Sequence, residues 1–210
     1  YFEILRPGIN TTIQDTGRYF LYHIGITVSG AADQRSYKIS NSLVGNKLTE
    51  ATIEFAYQGP LLKLKNGTIS FAITGDVIFN IIRKNSEVEE GKCYQNYILN
   101  DDDRIDIIST KKSVYGYLSV NSGFEIDKTW NSYSINTKAK IGPNNGKKFS
   151  VNQKIFIKNY KINNIKKNKI NYKKINDNSI RVIKSTNFNY FSKYSKINFF
   201  NKDYLITTQT

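Results

Sequence analysis

The residues whose types could do chemistry crowd into the front of the chain. Arg6-Pro7-Gly8 is followed by Thr12, Gln14, Asp15, Gly17 and Arg18, then by His23 and Gly25, then by Ser29, Gly30 and Asp33. Such a run makes a poor core, because each glycine loses backbone entropy on ordering and offers little to bury. It either forms interlocking turns or lines a polar site. Self-contained catalytic motifs are missing elsewhere. Gly142-Pro143-Asn144-Asn145-Gly146-Lys147-Lys148 resembles a phosphate loop, but its glycines stand one residue too close and Lys148 replaces the Ser or Thr that would hold magnesium. It reads as a hairpin turn. The acidic run Asp101-Asp102-Asp103 lacks the alternating ligands, central Gly and distal Glu of a calcium loop, and reads as a solvated turn. Cys93 sits beside Lys92, which would lower its pKa somewhat, yet no histidine stands near it to make a catalytic thiol.

The elements that must position the front cluster are mostly strands. Gly8, Gly17, Gly25 and Gly30 punctuate short apolar runs, the pattern of strands joined by tight turns. From Ala32 to Val44 the spacing shifts to three and four residues through Tyr37, Ile39, Ser40 and Leu43. This predicts a helix, capped by Ser29 or Asp33 and stopped by Gly45-Asn46. Period two then returns. Ile69, Phe71 and Ile73, the turn Gly75-Asp76, and Val77, Phe79 and Ile81 predict a hairpin over 68–83. Strands are also expected at Arg104–Ser109, at Val114–Val120 and from Ile197 to Thr208. Residues 158–180, rich in Lys and Asn, fit neither period and read as an irregular insertion with short edge strands. The fold class is mainly β with one or two short helices. The expected organisation is a β region at 1–150, a Lys/Asn-rich insertion or linker at 151–185, and the start of a truncated second half at 186–210.

Composition narrows the class. Of 210 residues, 31 are Lys or Arg and 17 are Asp or Glu, for a net charge of +14. Most of that excess falls after residue 150, with 13 basic against 2 acidic side chains there. Ile, Lys, Asn, Tyr and Phe supply 106 residues, the signature of adenine- and thymine-rich codons, and Lys outnumbers the Arg that phosphate sites favour. The charge therefore points to no nucleic acid. One Cys and one His exclude a disulfide scaffold and a histidine metal cage. With no long apolar run and no signal-peptide pattern, a cytoplasmic protein is expected, away from membranes.

Four ordered segments carry a resemblance. They are Arg-Pro-Gly-Ile-Asn-Thr-Thr-Ile-Gln-Asp-Thr-Gly-Arg at 6–18, Gly-Ile-Thr-Val-Ser-Gly-Ala-Ala-Asp at 25–33, Asn-Ser-Leu-Val-Gly-Asn at 41–46 and Ile-Glu-Phe-Ala-Tyr-Gln-Gly-Pro at 53–60. Phe-Ala-Ile-Thr-Gly-Asp at 71–76 and Tyr-Leu-Ser-Val-Asn-Ser-Gly-Phe at 117–124 continue it. The sequence resembles the biotin-dependent carboxyltransferase family, also called the allophanate hydrolase subunit 2 family. This includes the C-type subunit of 5-oxoprolinase, KipA-type proteins and the carboxyltransferase part of urea carboxylase. The resemblance covers residues 1–157 and, more weakly, 206–210. It departs at Ala32 for the family's Met, Ser122 for a Gly, Tyr133 for an Arg, and Asn152-Gln153 for Gly-Asp.

The resemblance implies cyclophilin-like β-barrel domains, the second half incomplete because the chain ends where the family continues. It implies a subunit of a heteromeric ATP-dependent amidohydrolase, foremost 5-oxoprolinase, working with a B-type (KipI-like) subunit and a third subunit. ATP would bind here or on a partner. Biotin, without a Met-Lys-Met carrier motif in this chain, would arrive from elsewhere. A KipA-like regulator that binds a kinase inhibitor, an inactive fragment and a urea carboxylase-type carboxyltransferase are the alternatives. Both chemistries build negative charge on oxygen, which calls for N–H donors, a cation and a proton carrier. Asp15, Arg18, His23 and Asp33 are the catalytic candidates. Thr12, Gln14, Gly17, Gly25, Ser29, Gly30, Asn46 and Glu54 are the substrate-binding candidates. The glycine turns would expose N–H groups, and Glu54 would pair with Arg6 or Arg18.

Overall fold

The computed structural model describes residues 1–158, 167–172 and 182–205. The chain divides into two units, Tyr1–Tyr172 and Lys173–Thr210. In the first unit the strands are β1 (Phe2–Arg6), β2 (Asn10–Gln14), β3 (Thr52–Ala56), β4 (Leu61–Leu64), β5 (Ile69–Thr74), β6 (Val77–Ile82), β7 (Val88–Glu90), β8 (Asn96–Leu99), β9 (Arg104–Thr110), β10 (Tyr115–Val120) and β11 (Lys154–Ile155). They form two sheets, ordered β11-β1-β4-β9-β6-β7 and β2-β3-β10-β5-β8, with every pairing antiparallel. Among the described residues the main apolar core takes side chains from both, including Phe2, Ile4, Ile13, Phe55, Phe71, Phe79, Ile105 and Leu118, and a smaller cluster gathers Ala31, Tyr37 and Tyr117. Mainly β with two helices is the architecture found.

The predicted hairpin over 68–83 is not one. Its two strands form where expected, but β5 lies in one sheet and β6 in the other. The chain turns a corner at Gly75, whose φ of +107° suits glycine and whose added Cβ would meet the Tyr115 carbonyl oxygen at 2.9 Å. Period-two alternation is the same whether the next strand pairs with its neighbour or crosses the core, so the pattern alone does not choose.

Helix α1 (Gln34–Leu43) matches its prediction closely. Asp33, not Ser29, is the cap: its carboxylate accepts from the N–H groups of Arg35 and Ser36, both at 3.0 Å. At the other end the Gly45 N–H bonds the Ser42 carbonyl and the Asn46 N–H reaches back to the Asn41 carbonyl, the paired bonds of a Schellman stop. The helix lies on β5 and β10 through polar as well as apolar contacts. Ser40 and Ser119 hydroxyls meet at 2.7 Å, and Thr74 Oγ1 donates to the Ser36 carbonyl at 2.8 Å.

The 100–103 turn is not simply solvated. Asp103 is 3% exposed and accepts from Arg83 Nη1 and from the N–H groups of Lys84 and Asn100, while Asp102 pairs with Lys63, Lys65 and Lys84. Gly142–Lys148 forms a 3-10 turn at Asn144–Gly146 rather than a strand hairpin.

Part of the Lys/Asn-rich stretch belongs to the first unit. β11 pairs with β1, and Lys169 bridges Gln95 at the end of β8. Tyr172 stacks on Tyr94 with ring centroids 4.2 Å apart, and Arg35 of α1 lies over the Tyr172 ring.

The second unit has a 3-10 turn at Thr186–Tyr190 and helix α2 (Lys193–Asn201). The strand expected from Ile197 is therefore helical through Asn201. Ser192, whose Oγ accepts from the Ser195 N–H at 3.1 Å, is a start signal that the apolar spacing does not reveal. Residues 206–210 lie outside the described residues. Among those described, no helix is long and apolar enough to cross a membrane.

Candidate functional site

β2 delivers Gln14 and Asp15 to the point where the chain leaves the sheet, and the loop to Gly30 folds back on that point. The Arg18 N–H donates to the Val28 carbonyl at 2.7 Å, and the Ala31 N–H donates to the Asp15 carbonyl at 2.9 Å. Gly30 packs backbone to backbone on Gly17: a Cβ on it would stand 2.9 Å from the Gly17 nitrogen, at a φ of +90°. No other residue fits there without moving the loop.

Inside this loop Asp15 is buried and its carboxylate collects four donors. Oδ1 accepts from the Gly17 N–H (2.7 Å), Ser132 Oγ (2.7 Å) and Ser134 Oγ (2.5 Å), and Oδ2 from the Tyr133 N–H (2.7 Å). Arg18 is 2% exposed. Its Nη1 donates to Ser29 Oγ at 3.2 Å and its Nη2 to the Ser134 carbonyl. Burial lowers the guanidinium pKa, and the nearby Asp15 charge opposes that shift. Ser134 thus joins the two, hydroxyl to Asp15 and carbonyl to Arg18. The Gln14 amide hangs on the next carbonyl, with Nε2 donating to the Ile135 oxygen at 2.9 Å and to Thr12 Oγ1 at 3.0 Å.

The neighbouring strands add an acid. Register places Thr12, Glu54 and Tyr117 side by side across β2, β3 and β10. Glu54, 7% exposed, accepts on Oε2 from the Ala32 N–H and from the Tyr117 hydroxyl, both at 2.8 Å. Tyr117 in turn accepts from the Asp33 N–H at 2.7 Å. Burial raises the Glu54 pKa; the two donated bonds pull the other way, and Asp33 adds a smaller upward push. The Tyr117 pKa is raised as well, first by burial and then by the Glu54 charge.

Two buried polar atoms here have no partner: Arg18 Nε and Gln14 Oε1. An unpaired buried polar group costs ~1–3 kcal/mol, so these two atoms are the unmet donor and acceptor of the cluster. Together with the buried acid they offer an N–H to an oxygen, an acceptor to an N–H, and a group that can carry a proton.

The structure therefore brings together Thr12, Gln14, Asp15, Gly17, Arg18, Ser29, Gly30 and Glu54, with Asp33 joined through Tyr117. Its details correct several expectations. Asp15 and Arg18 are a buried, serine-linked pair. Glu54 bonds Tyr117, not Arg6 or Arg18; Arg6 pairs with Asp106 at 2.6 Å. The Gly17 N–H is taken by Asp15 and the Gly25 N–H by the Tyr22 carbonyl, so neither is an open donor. His23 and Gly25 sit exposed on a 3-10 turn at Tyr22–Ile24, apart from the cluster. Asn46 stands at the opposite end of α1 from Asp33, bonding Asn41 and the Val120 carbonyl. Sequence reasoning passed over Ser132, Ser134 and Tyr117. The available signals were the i, i+2 serines, which put two hydroxyls on one face, and a tyrosine opposite an acid across a strand pair.

The residues most like a phosphate loop are bonded within the chain. Lys148 Nζ donates to the Ile9 carbonyl at 3.1 Å, and the Gly146 N–H bonds the carbonyls of Gly142 and Pro143. Cys93 is not activated: its Sγ donates to the Val77 carbonyl at 3.3 Å, and burial pushes its pKa up to about 11, against the lowering expected from Lys92. No group of His, Cys, Asp and Glu among the described residues could hold a metal ion.

Comparison with known proteins places this site in context. Residues 24–210 match the model of a family described as carboxyltransferase domain, subdomain A and B. The C-type subunit of the Haemophilus influenzae 5-oxoprolinase is 30% identical over 140 residues, covering 67% of this chain and 44% of the relative. The urea amidolyase of Lachancea kluyveri is 28% identical over 157 residues, covering 74% of this chain and 8% of that protein. The chain thus spans less than half the length of these relatives. Among solved structures, TTHA0988 superposes with a TM-score of 0.72 at 23% identity, over 82% of this chain and 62% of that one. The Kluyveromyces lactis urea carboxylase superposes with a TM-score of 0.69 at 26% identity, over 75% and 14%.

Proposed function

Because the chain belongs to the carboxyltransferase domain, subdomain A and B, family, we propose that it is a subunit of a heteromeric ATP-dependent amidohydrolase of the 5-oxoprolinase type, opening 5-oxoproline to glutamate. The observation that carries this reading is the pair of unpartnered buried atoms, Arg18 Nε and Gln14 Oε1, together with the buried acid Glu54, whose cross-strand neighbour Thr12 bonds Gln14. A cyclic amide offers the complement, a carbonyl oxygen for the guanidinium N–H and an N–H for the glutamine oxygen. Arg18 then steadies negative charge as it gathers on that oxygen, from a position already fixed by Ser29 and Ser134. Asp15 holds the serines and offsets the buried cation. The likeness to the C-type subunit of 5-oxoprolinase supports the assignment.

In this reading ATP binds a partner, the B-type (KipI-like) or the third subunit, since the phosphate-loop-like turn is bonded within the chain. The test is reconstitution with those two subunits and measurement of ATP-dependent glutamate release. Gln14→Met removes the open acceptor and is expected to raise KM for 5-oxoproline about tenfold, the effect of ~1.4 kcal/mol. An unchanged KM would overturn the assignment of Gln14, and a fully assembled complex without glutamate release would overturn the reading.

A second reading, carboxyl transfer to urea of the urea carboxylase type, is favoured by the longer match to urea amidolyase. The same donor and acceptor suit a urea edge. Carboxybiotin would supply the carboxyl group, carried by another chain.

A further inference from the structure

Tyr117 ties the acid on β3 to the start of α1. Its ring is fully buried, and its hydroxyl stands between two elements, donating to Glu54 Oε2 on β3 and accepting from the Asp33 N–H at the start of α1. Glu54 Oε2 therefore takes two bonds, from Tyr117 and the Ala32 N–H. Its other oxygen, Oε1, has no hydrogen-bond partner among the described residues and keeps some accessible surface, while the residue as a whole is 7% exposed. One oxygen is pinned and one is left open.

We infer that Tyr117 is a positioning residue that acts through Glu54, fixing Oε2 so that Oε1 is the single oxygen that holds and exchanges a proton with the substrate. The inference rests on the amidohydrolase reading for the identity of that substrate, and on geometry alone for the pair itself. The proton on Oε1 passes to the ring nitrogen as the C–N bond breaks, and Glu54 regains one from the water whose oxygen bonds the carbonyl carbon, so the carboxyl group ends as it began.

The groups facing Glu54 are few. From β10 there is Tyr117; from the start of α1 come the Ala32 N–H and the Asp33 carboxylate; from β2 comes the uncharged Thr12. Asp33 already caps α1 and bonds the Ser36 hydroxyl at 2.6 Å. Tyr37, whose ring meets that of Tyr117 edge-on at 6.4 Å, sends its hydroxyl to the Glu50 carbonyl instead. It touches the same partner without touching the acid, which makes it the control.

The experiment has two arms. In the first, the chain labelled with carboxyl-13C glutamate is titrated by NMR, the Glu54 signal being assigned by its loss in Glu54→Gln or, should that fold poorly, Glu54→Asp. The Glu54 carboxyl is expected to titrate above the other glutamates. Tyr117→Phe is expected to move its midpoint up further, by about one pH unit, because a donor to the ionised form is gone. Tyr37→Phe is expected to leave it in place. A Glu54 that titrates with the exposed glutamates, or that responds equally to both tyrosine variants, would overturn the inference. This arm needs no activity, so it stands even if the amidohydrolase reading fails. In the second arm, the reconstituted complex carrying Glu54→Gln is expected to lose kcat by about 10²-fold or more, and Tyr117→Phe to shift the pH–rate profile upward in step with the NMR midpoint. A Tyr117→Phe profile that keeps its position while the rate falls would reduce Tyr117 to a packing role.

Discussion

Replacing Asp15 by Asn separates a buried keystone from a surface carboxylate. The carboxylate accepts four hydrogen bonds, from Gly17, Ser132, Tyr133 and Ser134, at 2.5–2.7 Å. An asparagine can present only one oxygen. If its NH2 takes the place of Oδ2, it faces the Tyr133 N–H, leaving a buried donor unpaired at a cost of ~1–3 kcal/mol. The three bonds that remain lose the help of a full charge, on the order of 0.5 kcal/mol each. Arg18, 2% exposed, also loses the negative charge nearest to it. The sum is a loss of about 3–5 kcal/mol, or a fall in Tm of roughly 10 °C for a chain of this size. Urea unfolding followed by circular dichroism measures it. Asp33→Asn is the comparison: Asn caps a helix about as well as Asp, so the change there should be a few tenths of a kcal/mol. If Asp15→Asn unfolds within about 1 kcal/mol of the native chain, the account of a buried Asp15–serine–Arg18 cluster is wrong.

Other consequences can be checked with the same chain. Burial raises the Glu54 pKa, so the folded state keeps that proton to higher pH than the unfolded state does. Its contribution to stability is therefore complete below the unfolded value, ~4.3, and is lost as pH rises through the folded value. Glu54→Gln should flatten the fall in urea midpoint over that range, and an identical slope in the variant would exclude Glu54 as its source. Gly75→Ala places a Cβ against the Tyr115 carbonyl at a positive φ and should cost about 1–3 kcal/mol; a neutral result would mean that the corner between the sheets is not held as described. Cys93, half-buried and with its pKa pushed up to about 11, should react with iodoacetamide at neutral pH on the order of 100-fold more slowly than an ordinary exposed thiol, and rapid labelling would contradict that environment.

What could be read from the sequence follows a physical line. Helix α1 was legible because its signals are local: a cap at Asp33, apolar and small residues at three and four, and Gly45 as the stop. Individual strands were legible from alternation. Their assignment to sheets was not, because β5 and β6 alternate in the same way whether they pair with each other or face one another across the core. The site was half legible. Glycines and polar side chains between residues 12 and 33 mark a folded loop, and the structure closes that loop around Asp15 and Arg18. The partners that bury them, Ser132 and Ser134, come from over 110 positions away, Tyr117 reaches Glu54 from another strand, and no local pattern announces such contacts. His23 misled because a lone histidine suits proton transfer by type, whereas its place on an exposed turn keeps it from the other groups.

The most direct test of the central claim is to offer the reconstituted complex two substrates in parallel. With ATP and 5-oxoproline, glutamate should form in step with ATP consumption, and the yield should collapse in Glu54→Gln. A complex that ignores 5-oxoproline but carboxylates urea when given a carboxybiotin donor would contradict the claim and establish the carboxyltransferase reading in its place.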